Sequence, residues 1–155
     1  MMPAHRLPRR LWPLALAAAL ANLLPLSASA AVEGGERHSG HPEWMVPGLI
    51  DLESDLETVR DEGMTGVMVL YTTAGCSYCA RFEKLSLKDP TLQAKLRQHF
   101  VPIGLEIFDD VIMTGPDGED RSIKEFAEEH GAGMAPTLLF FDANGERVLR
   151  AVGYQ

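Results

Sequence analysis

Five consecutive apolar residues, Val67-Met68-Val69-Leu70-Tyr71, run into Thr72-Thr73-Ala74-Gly75-Cys76-Ser77-Tyr78-Cys79, and this junction limits the fold more than any other part of the chain. A strand with one wet face alternates apolar and polar residues. An unbroken apolar run between turn signals instead predicts a strand covered on both faces, which requires a sheet between helices. The chain supplies those helices. Leu49, Leu52, Leu56 and Val59 recur at helical spacing and stop near Gly63, and Ala80 to Leu85 continues from the cysteines. Asp89-Pro90 sets a carboxylate cap before a proline at the first helical position, with Leu92 and Leu96 expected to face the core. Ser122-Ile123-Lys124-Glu125 has the capping-box pattern, for a helix that ends at His130 before Gly131.

Phe100 to Ile107 reads as a second strand, and residues 109 to 121 read as a polar loop or small hairpin. Thr137 to Phe141, the turn Asp142-Ala143-Asn144-Gly145, and Arg147 to Val152 read as a hairpin, its first strand buried and its second alternating. This order predicts an α/β fold: a central mixed sheet with helices on both faces.

The 155 residues fit one domain plus a front segment. Residues 1–30 begin with Arg6, Arg9 and Arg10, continue through an apolar stretch from Leu11 to Leu26, and finish Ala28-Ser29-Ala30, the pattern of a cleavable secretory signal. Pro13, Asn22 and Pro25 interrupt the apolar stretch, which argues against a membrane anchor. Residues 31–47 are rich in Gly, His, Glu and Pro and read as an extended leader, with the domain at 48–155. His38, His41 and Glu43 on such a leader make a poor preorganised metal site. The chain carries a formal charge of −8, and removal of the signal takes away three arginines and no acid. So acidic a protein repels phosphate backbones, and no nucleic-acid partner is expected.

Cys76 and Cys79 are the only cysteines. A disulfide across so short a loop removes little unfolded-state entropy and is a weak staple. A structural zinc site needs four ligands, and no second cysteine pair completes one. Inert buried thiols fit poorly with export to an oxidising space. Redox chemistry fits best: at the start of a helix Cys76 faces unpaired amides and the positive end of the dipole, which favour its thiolate, and Cys79 lies one turn on as the resolving thiol. No metal or other cofactor is needed beyond the cysteine pair itself. Pro136, at the start of a predicted strand, lacks the amide hydrogen that a ladder uses. X-Pro bonds alone reach cis at small cost, and a cis Pro136 turns the Ala135 backbone outward toward an extended peptide.

With Cys-X-X-Cys after a buried strand, then "APTLLFFD" and a hairpin ending in Gly153-Tyr154, the sequence resembles the thioredoxin superfamily. Residues 41 to 154 are similar in particular to exported SoxW-type thioredoxin-like proteins and, less closely, to the C-terminal thioredoxin domain of the transmembrane reductase DsbD. The resemblance implies a thioredoxin fold and a periplasmic thiol–disulfide oxidoreductase. Cys76 is then the nucleophile and Cys79 the resolving thiol, with Ser77, Tyr78, Ala135 and Pro136 at the substrate-binding surface. Electrons are expected from a DsbD- or CcdA-like membrane protein and pass to a disulfide-containing substrate protein. Glu83, four residues after Cys79, falls where the DsbD domain has a glutamate near its active site.

The departures from the family pattern are specific. Leu70 stands where thioredoxins have a buried aspartate, and Gly75 stands where a tryptophan usually precedes the first cysteine. Glu83 is the expected stand-in for the missing acid. The family normally has a C-terminal helix after the Gly-Tyr pair, and this sequence stops at Gln155, so the expectation is either a truncated sequence or one sheet face left apolar and bare. A monomer is expected. Protein-disulfide reduction is the leading activity; oxidase or isomerase roles, or a peptide-binding adaptor that turns nothing over, are the alternatives.

Overall fold

The computed structural model describes residues 41–45 and 50–154. The expected signal at 1–30, His38, Leu49 and most of the expected leader lie outside the described residues. Among the described residues no helix is long and apolar enough to cross a membrane.

Helix α1 (Leu52–Glu62) starts where the Asp51 carboxylate accepts the Ser54 amide at 3.0 Å, and it ends at Gly63, whose φ of 65° suits a residue without a Cβ. Strand β1 (Gly66–Thr72) follows and is buried along its whole length, as its apolar run predicts. Helix α2 (Ser77–Phe82) passes directly into a π-helical turn (Glu83–Leu87). Helix α3 (Pro90–His99) is capped by Asp89, and strand β2 (Phe100–Glu106) follows it. A small hairpin, β3 (Ile112–Thr114) with β4 (Asp120–Ser122), precedes α4 (Ile123–Glu129), where Ser122 and Glu125 complete a capping box. The hairpin of β5 (Thr137–Asp142) and β6 (Arg147–Val152) ends the described chain.

The main sheet runs β2-β1-β5-β6, with β1 parallel to β2 and the other pairs antiparallel. Pro102 is tolerated because β2 is an edge. One face carries Val67, Val69, Tyr71, Ile103, Leu105, Leu139 and Phe141, packed on Leu52, Leu56 and Val59 of α1 and Phe126 of α4. The opposite face carries Met68 and Leu70, packed on Leu87, Phe82 and Leu96 of the α2-to-α3 segment. The sheet is therefore mixed and flanked by helices on both sides.

Three details differ from the expectation. His41–Met45, placed by the sequence within an extended leader, belongs to the packed domain: Met45 is fully buried and Trp44 lies against the second cluster. An apolar pair in a polar stretch finds its partners only when the sheet face exists. Leu96 packs on the second core cluster as expected, but Leu92 is half-buried and belongs to neither cluster, because α3 lies at the rim over the edge strand. Strand β6 does not alternate: Arg147 to Arg150 are all exposed, since β6 is the other edge and no described element covers it. Val148 and Leu149, with Phe100 and Phe140, line a shallow apolar groove of about 220 Å³ there.

Candidate functional site: the Cys76–Cys79 disulfide

The chain leaves the buried β1 at Thr72 and turns through Gly75, whose φ of 74° lies in the left-handed region. The Glu106 carboxylate at the end of β2 accepts the Ala74 amide at 3.0 Å and ties this turn to the neighbouring strand. Cys76 is the N-cap of α2, and its Sγ accepts the Cys79 amide at 3.1 Å. Cys76 and Cys79 form a disulfide with an S–S distance of 2.05 Å. The two sulfurs differ in access: Cys79 is 2% exposed, whereas Cys76 is half-buried between the exposed Gly75 and Ser77. An external thiolate therefore meets Cys76 first. Once the pair is reduced, the Cys79 amide and the other unpaired amides of the helix start favour negative charge on Cys76.

Beside the disulfide, the Ala135–Pro136 peptide bond is cis, and the Ala135 carbonyl oxygen lies 3.6 Å from Cys76 Sγ. The Thr137 hydroxyl donates to the Met134 carbonyl at 2.6 Å, and the Gly153 amide donates to the Pro136 carbonyl at 2.8 Å. Together these bonds fix the loop on the hairpin. A groove of about 190 Å³ opens here, lined by Tyr78, Met134, Ala135, Val152, Gly153 and Tyr154. Tyr154 is held by its ring against Phe82, 5.1 Å between centroids, and by its hydroxyl 3.2 Å from that of Ser86. Of the expected substrate-binding residues, Tyr78 and Ala135 line the groove. Ser77 lies exposed at the helix start, and Pro136 is buried behind the loop.

Glu83 lies on the π-helical turn and is half-buried, with the Lys88 ammonium 3.9 Å from its carboxylate. Leu70 is 1% exposed, so the centre of this sheet face carries no acid there. Two residues that the sequence reading did not place at the site also come to it. One is Glu106, through its bond to Ala74. The other is His41: burial pushes its imidazole below the ordinary value, against the opposing pull of the Glu106 and, more weakly, Glu83 carboxylates. The available signal for His41 was Gly104, a lone glycine inside a predicted strand, which marks a close approach by another part of the chain. Among the described residues no group of three or more His, Cys, Asp or Glu is arranged to hold a metal ion.

The fold has counterparts among known proteins. A protein from Bacteroides thetaiotaomicron, provisionally described as a disulphide-isomerase, is 25% identical over 72% of this chain and 82% of its own, with a TM-score of 0.54. A thioredoxin-fold protein from Helicobacter pylori is 21% identical over 60% of this chain, with a TM-score of 0.51; the present chain spans 62% of it, less than two thirds. An oxidoreductase named DsbH is 14% identical over 73% of this chain and 81% of its own, with a TM-score of 0.51. The latter two likenesses concern the fold alone. No curated protein sequence matches the chain. The sequence pattern of the thioredoxin-like domain matches residues 52–155, most of the chain, and the protein belongs to that family.

Proposed function

We propose that the chain is a thiol–disulfide oxidoreductase that reduces protein disulfides. The observation that carries this reading is the asymmetric Cys76–Cys79 pair: one sulfur accessible at a helix start, its partner 2% exposed behind it. Reduced Cys76 attacks a substrate disulfide and forms a mixed disulfide. Cys79 then attacks Cys76, the Cys76–substrate bond breaks, and the substrate leaves as a dithiol while the enzyme pair closes. The groove beside Ala135 accepts an extended segment of the substrate as an added strand. Pro136 sets the turn of the loop behind it.

The signal-like residues 1–30 support export to the periplasm, where we take the chain to act as a monomer. There, reducing equivalents come from a membrane protein of the DsbD or CcdA kind. This is the behaviour of the exported SoxW-type proteins that the sequence resembles. The likeness to the Bacteroides protein favours disulfide isomerisation as a second reading.

The test is the reduction potential of the Cys76/Cys79 pair, measured by equilibration with thiol buffers, together with alkylation trapping in cells. A reductase gives a potential toward the thioredoxin value of about −270 mV and a pair reduced at steady state. A pair found fully oxidised in cells, with a potential near the oxidase value of about −120 mV, overturns the reading. Peptide affinity that survives replacement of both cysteines by serine, with no turnover by the intact chain, makes the protein an adaptor.

A further inference from the structure

The groove beside the disulfide is small, and no charged side chain lines it. Its volume of about 190 Å³ matches about six water molecules at roughly 30 Å³ each and falls short of the roughly 300 Å³ at which sites for small organic ligands begin. That size suits a single large side chain. Tyr154 is the fixed part of the lining: its ring lies 5.1 Å from that of Phe82, and its hydroxyl has the Ser86 hydroxyl at 3.2 Å as a partner. Met134 is the adaptable part, unbranched and 65% exposed, and it leaves apolar surface in water that an entering apolar group would cover. The groove also begins at the reacting atom, because Ala135 lines it and the Ala135 carbonyl oxygen is 3.6 Å from Cys76 Sγ. In an extended segment side chains alternate between faces, and residues two apart share a face at a spacing of about 6.5–7 Å. When a substrate cysteine reaches Cys76, its immediate neighbours therefore point away, and the residue two positions along points to the groove side.

We propose that the groove selects substrate segments in which a large apolar residue stands two positions from the reacting cysteine, with Met134 and Tyr154 setting the preference. This rests on the disulfide-reductase reading above and adds to it the class of substrate. An apolar side chain releases water from the groove and covers Met134 and Tyr154. A polar side chain of equal size gives up hydrogen bonds to water and meets no charged side chain there in return. The groove residues hold the segment but take no part in the exchange of sulfur bonds. The preference therefore acts on the concentration needed for half-saturation and not on the saturated rate.

The probes are end-blocked peptides of alanine and glycine with one central cysteine held in a disulfide with thionitrobenzoate. Leucine, or glutamine as a polar residue of similar size, stands two positions before the cysteine, two positions after it, or directly beside it. Stopped flow with the reduced whole chain follows the release of thionitrobenzoate. The Cys76 thiolate bonds to the peptide sulfur, the old S–S bond breaks, and thionitrobenzoate leaves with the electron pair; Cys79 then closes the pair and frees the peptide thiol. At one of the two-position placements, leucine should lower the half-saturating concentration about tenfold relative to glutamine, with the saturated rate changed less than twofold. Directly beside the cysteine the two should differ less than twofold. In Met134→Ser and in Tyr154→Ala the tenfold ratio should fall to about threefold or less. Equal half-saturating concentrations for leucine and glutamine at every placement overturn the assignment and leave the reductase reading standing. A preference equally strong directly beside the cysteine overturns it as well. So do variants that slow both peptides alike and keep the ratio, since a merely structural role predicts that result. The wild-type series decides even if a variant fails to fold. No release from any peptide by the wild type overturns the reductase reading and this assignment together.

Discussion

Replacing Gly104 by alanine tests the seating of His41 without touching either cysteine. The new methyl carbon would stand 2.5 to 2.9 Å from three atoms of His41, whereas non-bonded carbons settle at about 3.5–4.0 Å, so the imidazole must retreat by on the order of 1 Å. Overpacking of this kind costs about 1–3 kcal/mol. Alanine returns about 0.5–1 kcal/mol by restricting the unfolded chain, which leaves a net loss of about 1–2 kcal/mol. In a His41→Gly background the clash is absent, and the same substitution should be neutral or slightly stabilising. The coupling energy of the cycle is then about 1–3 kcal/mol. Urea unfolding of the oxidised protein reads it through Trp44, which packs on the same sheet face. With a slope of about 2 kcal/mol per molar, Gly104→Ala should lower the midpoint by roughly 0.5–1 M in the wild-type background alone. Equal shifts in both backgrounds would refute the placement of His41 over Gly104.

Met45→Ala should cost about 2–5 kcal/mol in the same assay, because Met45 is fully buried; a loss below about 1 kcal/mol would detach His41–Met45 from the fold. Tyr71 is buried and its hydroxyl has no hydrogen-bond partner among the described residues, so Tyr71→Phe should be neutral or stabilise by up to about 1 kcal/mol, and a clear loss would reveal a partner. Asp55 is raised to about 6, first by burial and then by Asp51, so its ionisation penalises the fold above that value and the penalty is relieved as pH falls from about 6 toward 4. His41 and His130 are both lowered by burial, so their contribution is present above the ordinary imidazole value and lost as pH falls below it. Asp55→Asn should therefore add about 1 kcal/mol at pH 7, after allowance for its partial exposure, and should steepen the loss of stability between pH 7 and 5; an unchanged slope would refute the assigned signs.

Elements written in local chemistry were legible in the sequence. The Asp89 and Ser122 caps, the Gly63 stop and the unbroken run of β1 each depend on residues within one turn or one strand. Cys76 and Cys79 were legible for the same reason, since the junction of strand, turn and helix start is continuous in the chain. What escaped depends on residues far apart. The π-helical turn over Glu83–Leu87 uses residues that fit an ordinary helix equally well, so nothing local separates the two. The exposure of β6 depends on what covers the sheet edge, which its own alternation does not encode. His41 sits in a stretch whose composition reads as solvated leader, and only the gap at Gly104 fixes its place.

The substitution at position 70 has an energetic consequence beyond the loss of one acid. A carboxylate at the centre of β1 would be fully desolvated, and an uncompensated buried charge costs several kcal/mol or stays protonated. Leu70 removes that burden, and Gly104 opposite it removes the side chain that would otherwise close the space. The titratable groups nearby lie outward: Glu83, Glu106 and His41 all keep part of their surface in solvent, and burial favours the neutral form of the imidazole. The centre of this sheet face, at Leu70, therefore holds no buried charge. The filling of the space over Gly104 depends on His41, which precedes the stretch where the family pattern begins at Leu52.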